Sequence, residues 1–146
     1  MGLRLSSDIS IAVALSLVAF GGAAGGVARF TIDRWVMARS SVDFPLGTLL
    51  VNVSGALLIG FLAGLWWQPD TGLAAGVQGY WLLLALGVLG SYTTVSSFSL
   101  QAMTLLQERR IRAALLYIGL SFLLTLCAAL IGLWTGFTAL GVAADG

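Results

Sequence analysis

Gly90-Ser91-Tyr92-Thr93-Thr94-Val95-Ser96-Ser97-Phe98-Ser99 lies inside an apolar run from about Tyr80 to Leu106. Six of the nine residues from Ser91 to Ser99 carry a Ser or Thr hydroxyl. A lipid-facing helix has no use for them. One reading is a continuous helix whose hydroxyls bond back to their own carbonyls. The other is a helix broken after Gly87 and Gly90. Broken backbone is tolerated in a bilayer only where protein buries it or it lines a cavity. A break also frees carbonyl oxygens, which can coordinate small hard cations.

The surrounding chain makes a membrane setting the natural one. Of its 146 residues, 59% are hydrophobic and 9% charged, against about 25% charged in a soluble domain. Mean hydropathy is +1.00. Three further apolar runs extend from about Ile9 to Phe30, Phe44 to Trp67 and Ala113 to Leu140. Each supplies the roughly 20 residues that cross a bilayer core. The expected fold is therefore an all-α integral membrane protein of one domain, residues 1–146, with four transmembrane helices and the third broken near its centre. The first run is long and Gly-rich and follows Asp8, unlike a removable signal peptide. Trp35, Trp66, Trp67, Tyr80 and Trp81 fall at run ends, as an interfacial aromatic belt does.

Charge gives an orientation and excludes partners. All seven basic residues are Arg, and the net charge of +1 offers no basic patch for nucleic acid. Arg34, Arg39, Arg109, Arg110 and Arg112 fall on one side of the membrane; Arg4 is alone on the other. The positive-inside rule puts the first and third connections in the cytoplasm and both termini outside. Cys127 is the only cysteine, so no internal disulfide forms.

Polar residues within the other runs each allow two readings. Gly21/Gly25 and Gly22/Gly26 are small-xxx-small pairs that let helix backbones approach. Arg29 shares a face with Gly22 and Gly26. It either snorkels to the headgroups or supplies a fixed charge at a pore mouth. Asn52 shares a four-residue stripe with Ala56, Gly60 and Gly64. It is either interhelical glue or an amide donor to a permeating anion. Tyr117, Ser121 and Thr125 form a hydroxyl stripe, again glue or pathway. The second to fourth runs hold no Asp, Glu, Lys, Arg or His in their interiors. A proton-coupled exporter of the small multidrug type needs a membrane carboxylate, and an enzyme needs an acid, base or nucleophile. Neutral donors and aromatic ring edges suit passive movement of a small, strongly hydrated anion better.

Three stretches in order resemble one family. Gly21-Gly22-Ala23-Ala24-Gly25-Gly26-Val27-Ala28-Arg29-Phe30 is similar to its first-helix signature, Phe44-Pro45-Leu46-Gly47-Thr48-Leu49-Leu50-Val51-Asn52 to its second, and Gly90 to Ser99 to its broken third helix. The family is the bacterial fluoride channels, called Fluc or CrcB. The resemblance implies a multi-pass protein of the bacterial inner membrane that lets cytoplasmic fluoride leave down its gradient. It implies an antiparallel dimer with two pores. It also implies one structural Na⁺ held by backbone carbonyls matching Gly90 and Thr93. The pore positions match Asn52, Thr94, Val95, Ser97, Phe98, Tyr117, Ser121 and Thr125. One departure is Val95, where the family has a phenylalanine. Another is the one-sided arginine distribution, because a subunit inserting both ways needs balanced loops. Both departures fit pairing to an oppositely oriented paralogous subunit, where the resemblance alone implies a homodimer. Paired with a paralogue, the chain is a half-functional or non-conducting partner.

Overall fold

The computed structural model describes residues 9–68, 72–73 and 77–139. Arg4, Asp8 and Leu140 lie outside that set. Among the described residues, four helical segments are long and apolar enough to cross a membrane.

The first, α1 (Ile11–Arg39), is capped by Ser10, whose hydroxyl accepts the Val13 N–H at 3.3 Å. Its 29 residues span about 43 Å at 1.5 Å per residue, more than a hydrocarbon core. The sequence places a loop after Phe30; the helix instead runs on to Arg39. Residues 31–39 contain neither Pro nor Gly, so nothing ends it there. Arg34 and Arg39 are therefore helix-borne. Their guanidinium groups lie over the rings of Phe30 and Trp35, at 5.3 and 4.2 Å from the centroids.

That extension organises the next helix, α2 (Leu46–Trp66). Pro45 at its N-cap offers no side-chain bond. Asp33 of α1 stands at that end: the buried Thr48 hydroxyl donates to Asp33 Oδ1 at 3.2 Å, and Gly47 lies against Asp33. A carboxylate over a helix N-terminus is favourable because the first N–H groups lack partners. We expect Asp33→Ala to destabilise the protein by about 1–2 kcal/mol, read as a lowered unfolding midpoint in detergent.

A two-residue antiparallel pair, β1 (Trp67–Gln68) with β2 (Gly72–Leu73), follows α2. The third segment then begins with α3 (Gln78–Tyr80) and a π-helical stretch (Trp81–Leu89). It continues as α4 (Gly90–Tyr92), breaks at Thr93 and Thr94, and resumes as α5 (Val95–Gln107). The break predicted from Gly and hydroxyl clustering is thus present. Both break residues are extended, with φ/ψ of −76°/155° and −152°/125°. The last segment is α6 (Ile111–Ala139).

Glycine sets the packing. The π-helical stretch lies on α1 where Gly21 and Gly25 meet the carbonyls of Leu83 and Val88. Gly22 meets only the Ser91 hydroxyl, and Gly26 has nothing within 4 Å. Of the two pairs in the sequence, then, Gly21/Gly25 is the one used within the chain. The most extensive interface joins α2 and α6. Gly60 and Gly64 lie on the backbone of Ala129 and Leu133, while Gly132 and Gly136 lie on that of Leu57 and Phe61. The small stripe inferred on α2 is therefore a close backbone contact with α6.

Candidate ion pathway at the helix break

Asn52 of α2 holds the break open. Its Nδ2 donates to the Thr94 carbonyl at 2.9 Å, and its Oδ1 accepts the Thr94 N–H at 2.8 Å. One amide thus satisfies both polar groups of a residue that has left the helix. The two sequence readings of Asn52 are not exclusive. It is interhelical glue, and its second Nδ2 hydrogen remains available beside the cavity described below.

The same two bonds explain which carbonyls the break releases. In a continuous helix the Thr94 N–H bonds to the Gly90 carbonyl; here it bonds to Asn52. The Ser97 N–H bonds to the Thr94 hydroxyl at 3.2 Å rather than to the Thr93 carbonyl. Gly90 and Thr93 thereby lose their ordinary helical donors. The Thr94 hydroxyl is the N-cap of α5, and it also bonds the hydroxyls of Ser96 and Ser97. The N-terminus of α5, the positive end of its dipole, consequently begins in the middle of the membrane segment.

A cavity of about 760 Å³ opens at this point. It collects Asn52 from α2, Gly90, Thr93, Thr94, Val95 and Phe98 from the broken helix, and Ser121 and Thr125 from α6. These are eight of the residues singled out in the sequence. Ala56, Ile59, Ile118 and Phe122 complete an apolar wall. Val95 is 78% exposed at the rim. Ser121 is 6% exposed, and its Oγ has no hydrogen-bond partner among the described residues. A buried hydroxyl without a partner is uncommon and costly, which sets Ser121 apart from the other residues that line the cavity. The Thr125 hydroxyl donates to the Ser121 carbonyl at 2.5 Å, leaving its oxygen rather than its proton for the cavity.

Three predicted residues lie off the cavity wall. Ser97 is engaged with Thr94. Arg29 is half-buried on α1 and forms no ion pair among the described residues. Tyr117 is fully buried one helical turn beyond Ser121, its ring 5.6 Å from Phe44 and 5.3 Å from Phe98. Its hydroxyl donates to Gln101 Oε1 at 2.8 Å. Gln101 escaped the sequence reading. Its signal was there: it is the polar residue one turn beyond Phe98 in an apolar half-helix.

Residues 16–133 match the family described as CrcB-like protein, Camphor Resistance (CrcB). A protein named fluoride-specific ion channel FluC 2 from Mycobacterium tuberculosis is 40% identical over 129 residues, covering 88% of this chain and 94% of its own. The protein of that name from Bacillus cereus is 38% identical over 120 residues, covering 82% and 94%. The one from Mycolicibacterium paratuberculosis is 44% identical over 115 residues, covering 79% and 87%. With four membrane-length helices built around a broken third segment, the chain is a multi-pass membrane protein belonging to the CrcB-like family, whose curated relatives are named fluoride-specific ion channels.

Proposed function

We propose that the chain forms a passive fluoride channel of the bacterial plasma membrane, letting the anion leave the cytoplasm down its electrochemical gradient. The observation that carries this reading is the unpartnered hydroxyl of Ser121, a residue that lines the cavity together with Asn52 and the N-terminus of α5. These are neutral donors with no competing carboxylate. A fluoride ion must exchange a tight water shell for close donors. Small hydroxyl and amide hydrogens can approach it, and the positive edge of the Phe98 ring adds an aromatic contact. No group in the cavity titrates, which fits flow along a gradient rather than proton coupling.

Sodium fits the break in its donor chemistry. The Gly90 and Thr93 carbonyls lack helical donors, and such oxygens suit a small hard cation. A bound Na⁺ supplies a fixed positive charge there; it is structural, and the transported ion does not pass through it. Asn52 holds the Thr94 peptide, and with it the direction of those carbonyls.

The test is Ser121→Ala. Loss of one donor, about 1–1.5 kcal/mol, predicts roughly tenfold slower fluoride efflux from liposomes with an unchanged unfolding midpoint. Efflux equal to that of the unsubstituted chain would falsify a role for Ser121 in the pathway.

The family's fold also implies a second subunit, and an exposed Val95 favours a specific second reading. A rim position without a ring, joined to arginines concentrated on one side, fits a chain of fixed orientation. It would then pair with an oppositely oriented paralogue. Labelled ends found on one membrane face only, with flux appearing only on co-expression of such a paralogue, support this reading. Labels on both faces of a homodimer exclude it.

A further inference from the structure

Arg109 and Arg110 in the turn between α5 and α6, and Arg112 in the first turn of α6, line a recess of about 470 Å³ together with Ile111 and Ala113. Arg110 is held by ion pairs to Asp43 and Glu108. Arg109 and Arg112 have no acidic partner among the described residues. Arg109 also occupies the left-handed region, with φ 57°. Its N–H donates to the Leu106 carbonyl at 3.0 Å, and that of Arg110 to the Leu105 carbonyl at 2.9 Å. That paired closure of a helix end favours glycine at the left-handed position. An arginine there accepts backbone strain and keeps a charged side chain at the recess. Below the recess, Ile111 and Leu115 stand one turn apart on α6, 51% and 63% exposed.

We propose that this recess seats the phosphate of an anionic phospholipid. Arg109 and Arg112 bind the headgroup, and an acyl chain runs along Ile111 and Leu115. Guanidinium groups match phosphate in both charge and geometry. The position of the turn at the end of two membrane segments places it at headgroup depth. The apolar stripe beneath it makes a lipid the fitting occupant, rather than a free anion.

The experiment titrates the purified protein in neutral detergent with phosphatidylglycerol, phosphatidylcholine or inorganic phosphate, and counts bound molecules by native mass spectrometry. The expected preference for phosphatidylglycerol over phosphatidylcholine is on the order of tenfold, from two arginines near a phosphate. The double variant Arg109→Gly with Arg112→Gln should lose it. This variant is expected to fold, because glycine suits the turn better than arginine does. Arg39→Gln, whose guanidinium rests on Trp35 elsewhere, should keep the preference. The proposal is overturned by equal binding of the two lipids, or by a preference that survives the double variant. It is also overturned by equal loss in Arg39→Gln, or by displacement of phosphatidylglycerol by inorganic phosphate at matched concentration.

Discussion

Asn52→Asp is expected to slow fluoride efflux by a factor on the order of 100, the effect of about 3 kcal/mol for an unpaired or wrongly paired buried polar group. Asn52 uses one Nδ2 hydrogen and its Oδ1 to hold the Thr94 peptide. The substitution keeps the acceptor and replaces the amide nitrogen with oxygen. Ionised, that oxygen faces the Thr94 carbonyl and repels any anion in the cavity. Protonated, it has one hydrogen, which the Thr94 carbonyl takes. In neither state is a donor left for the ion. Efflux through liposomes containing the variant measures this directly. A rate within twofold of the unsubstituted chain removes Asn52 from the pathway. Asn52→Ala removes the hold on Thr94 and the donor together without adding charge. It should lower the unfolding midpoint as well as the flux.

Gly132→Val is expected to have the largest effect on stability, about 3 kcal/mol or more, taking with it most of the folded protein recovered in detergent. A Cβ at Gly132 would meet the backbone carbonyl of Leu57, with Phe61 N at 2.8 Å and Leu57 C at 3.0 Å. These are backbone atoms inside a helix, and no rotamer change can move them aside. The two helices must separate instead. Gly60, Gly64 and Gly136 then lose their contacts too, because all four glycines serve one interface. The damage reaches function by the same route, since α2 carries Asn52 and α6 carries Ser121, both lining the cavity. Gly119→Ala is the matched control on the same helix. A Cβ there has nothing within 4 Å, so the unfolding midpoint should not fall. Size-exclusion profiles and thermal unfolding of the two variants give the comparison. Equal behaviour would mean that the α2–α6 contact is looser than the backbone distances imply.

What the sequence made legible follows from what leaves a local mark. Apolar runs of membrane length, a cluster of hydroxyls beside Gly87 and Gly90, and a buried-run amide at Asn52 can each be read without knowing any neighbour. The helix break, Asn52, Gly90, Thr93 and Thr94 came from such marks, Ser121 and Thr125 from their four-residue spacing, and Val95 and Phe98 from the family resemblance. Other features depended on partners distant in the chain. Thr94 lies 42 residues from Asn52, and Gln101 lies 16 from Tyr117. Nothing local marks either bond: Gln101 shows in the sequence as a polar residue, but its pairing with Tyr117 does not. Hydropathy also reports where a segment leaves apolar surroundings, not where its helix ends. That is why α1 outruns Phe30 and brings Asp33 over the start of α2. The π-helical winding of residues 81–89 has no composition signature: the run Trp81–Leu89 is as apolar as any α-helical span. Arg29 drew attention through its charge, yet it stands off the cavity wall.

The measurement closest to the central claim uses the purified chain alone in liposomes loaded with equal potassium fluoride and potassium chloride. Valinomycin is added to release the potassium, and both anions are followed by ion-selective electrodes. The expected result is rapid loss of fluoride while chloride stays inside. Fluoride loss no faster than from protein-free liposomes, or chloride leaving at the same rate, would contradict it.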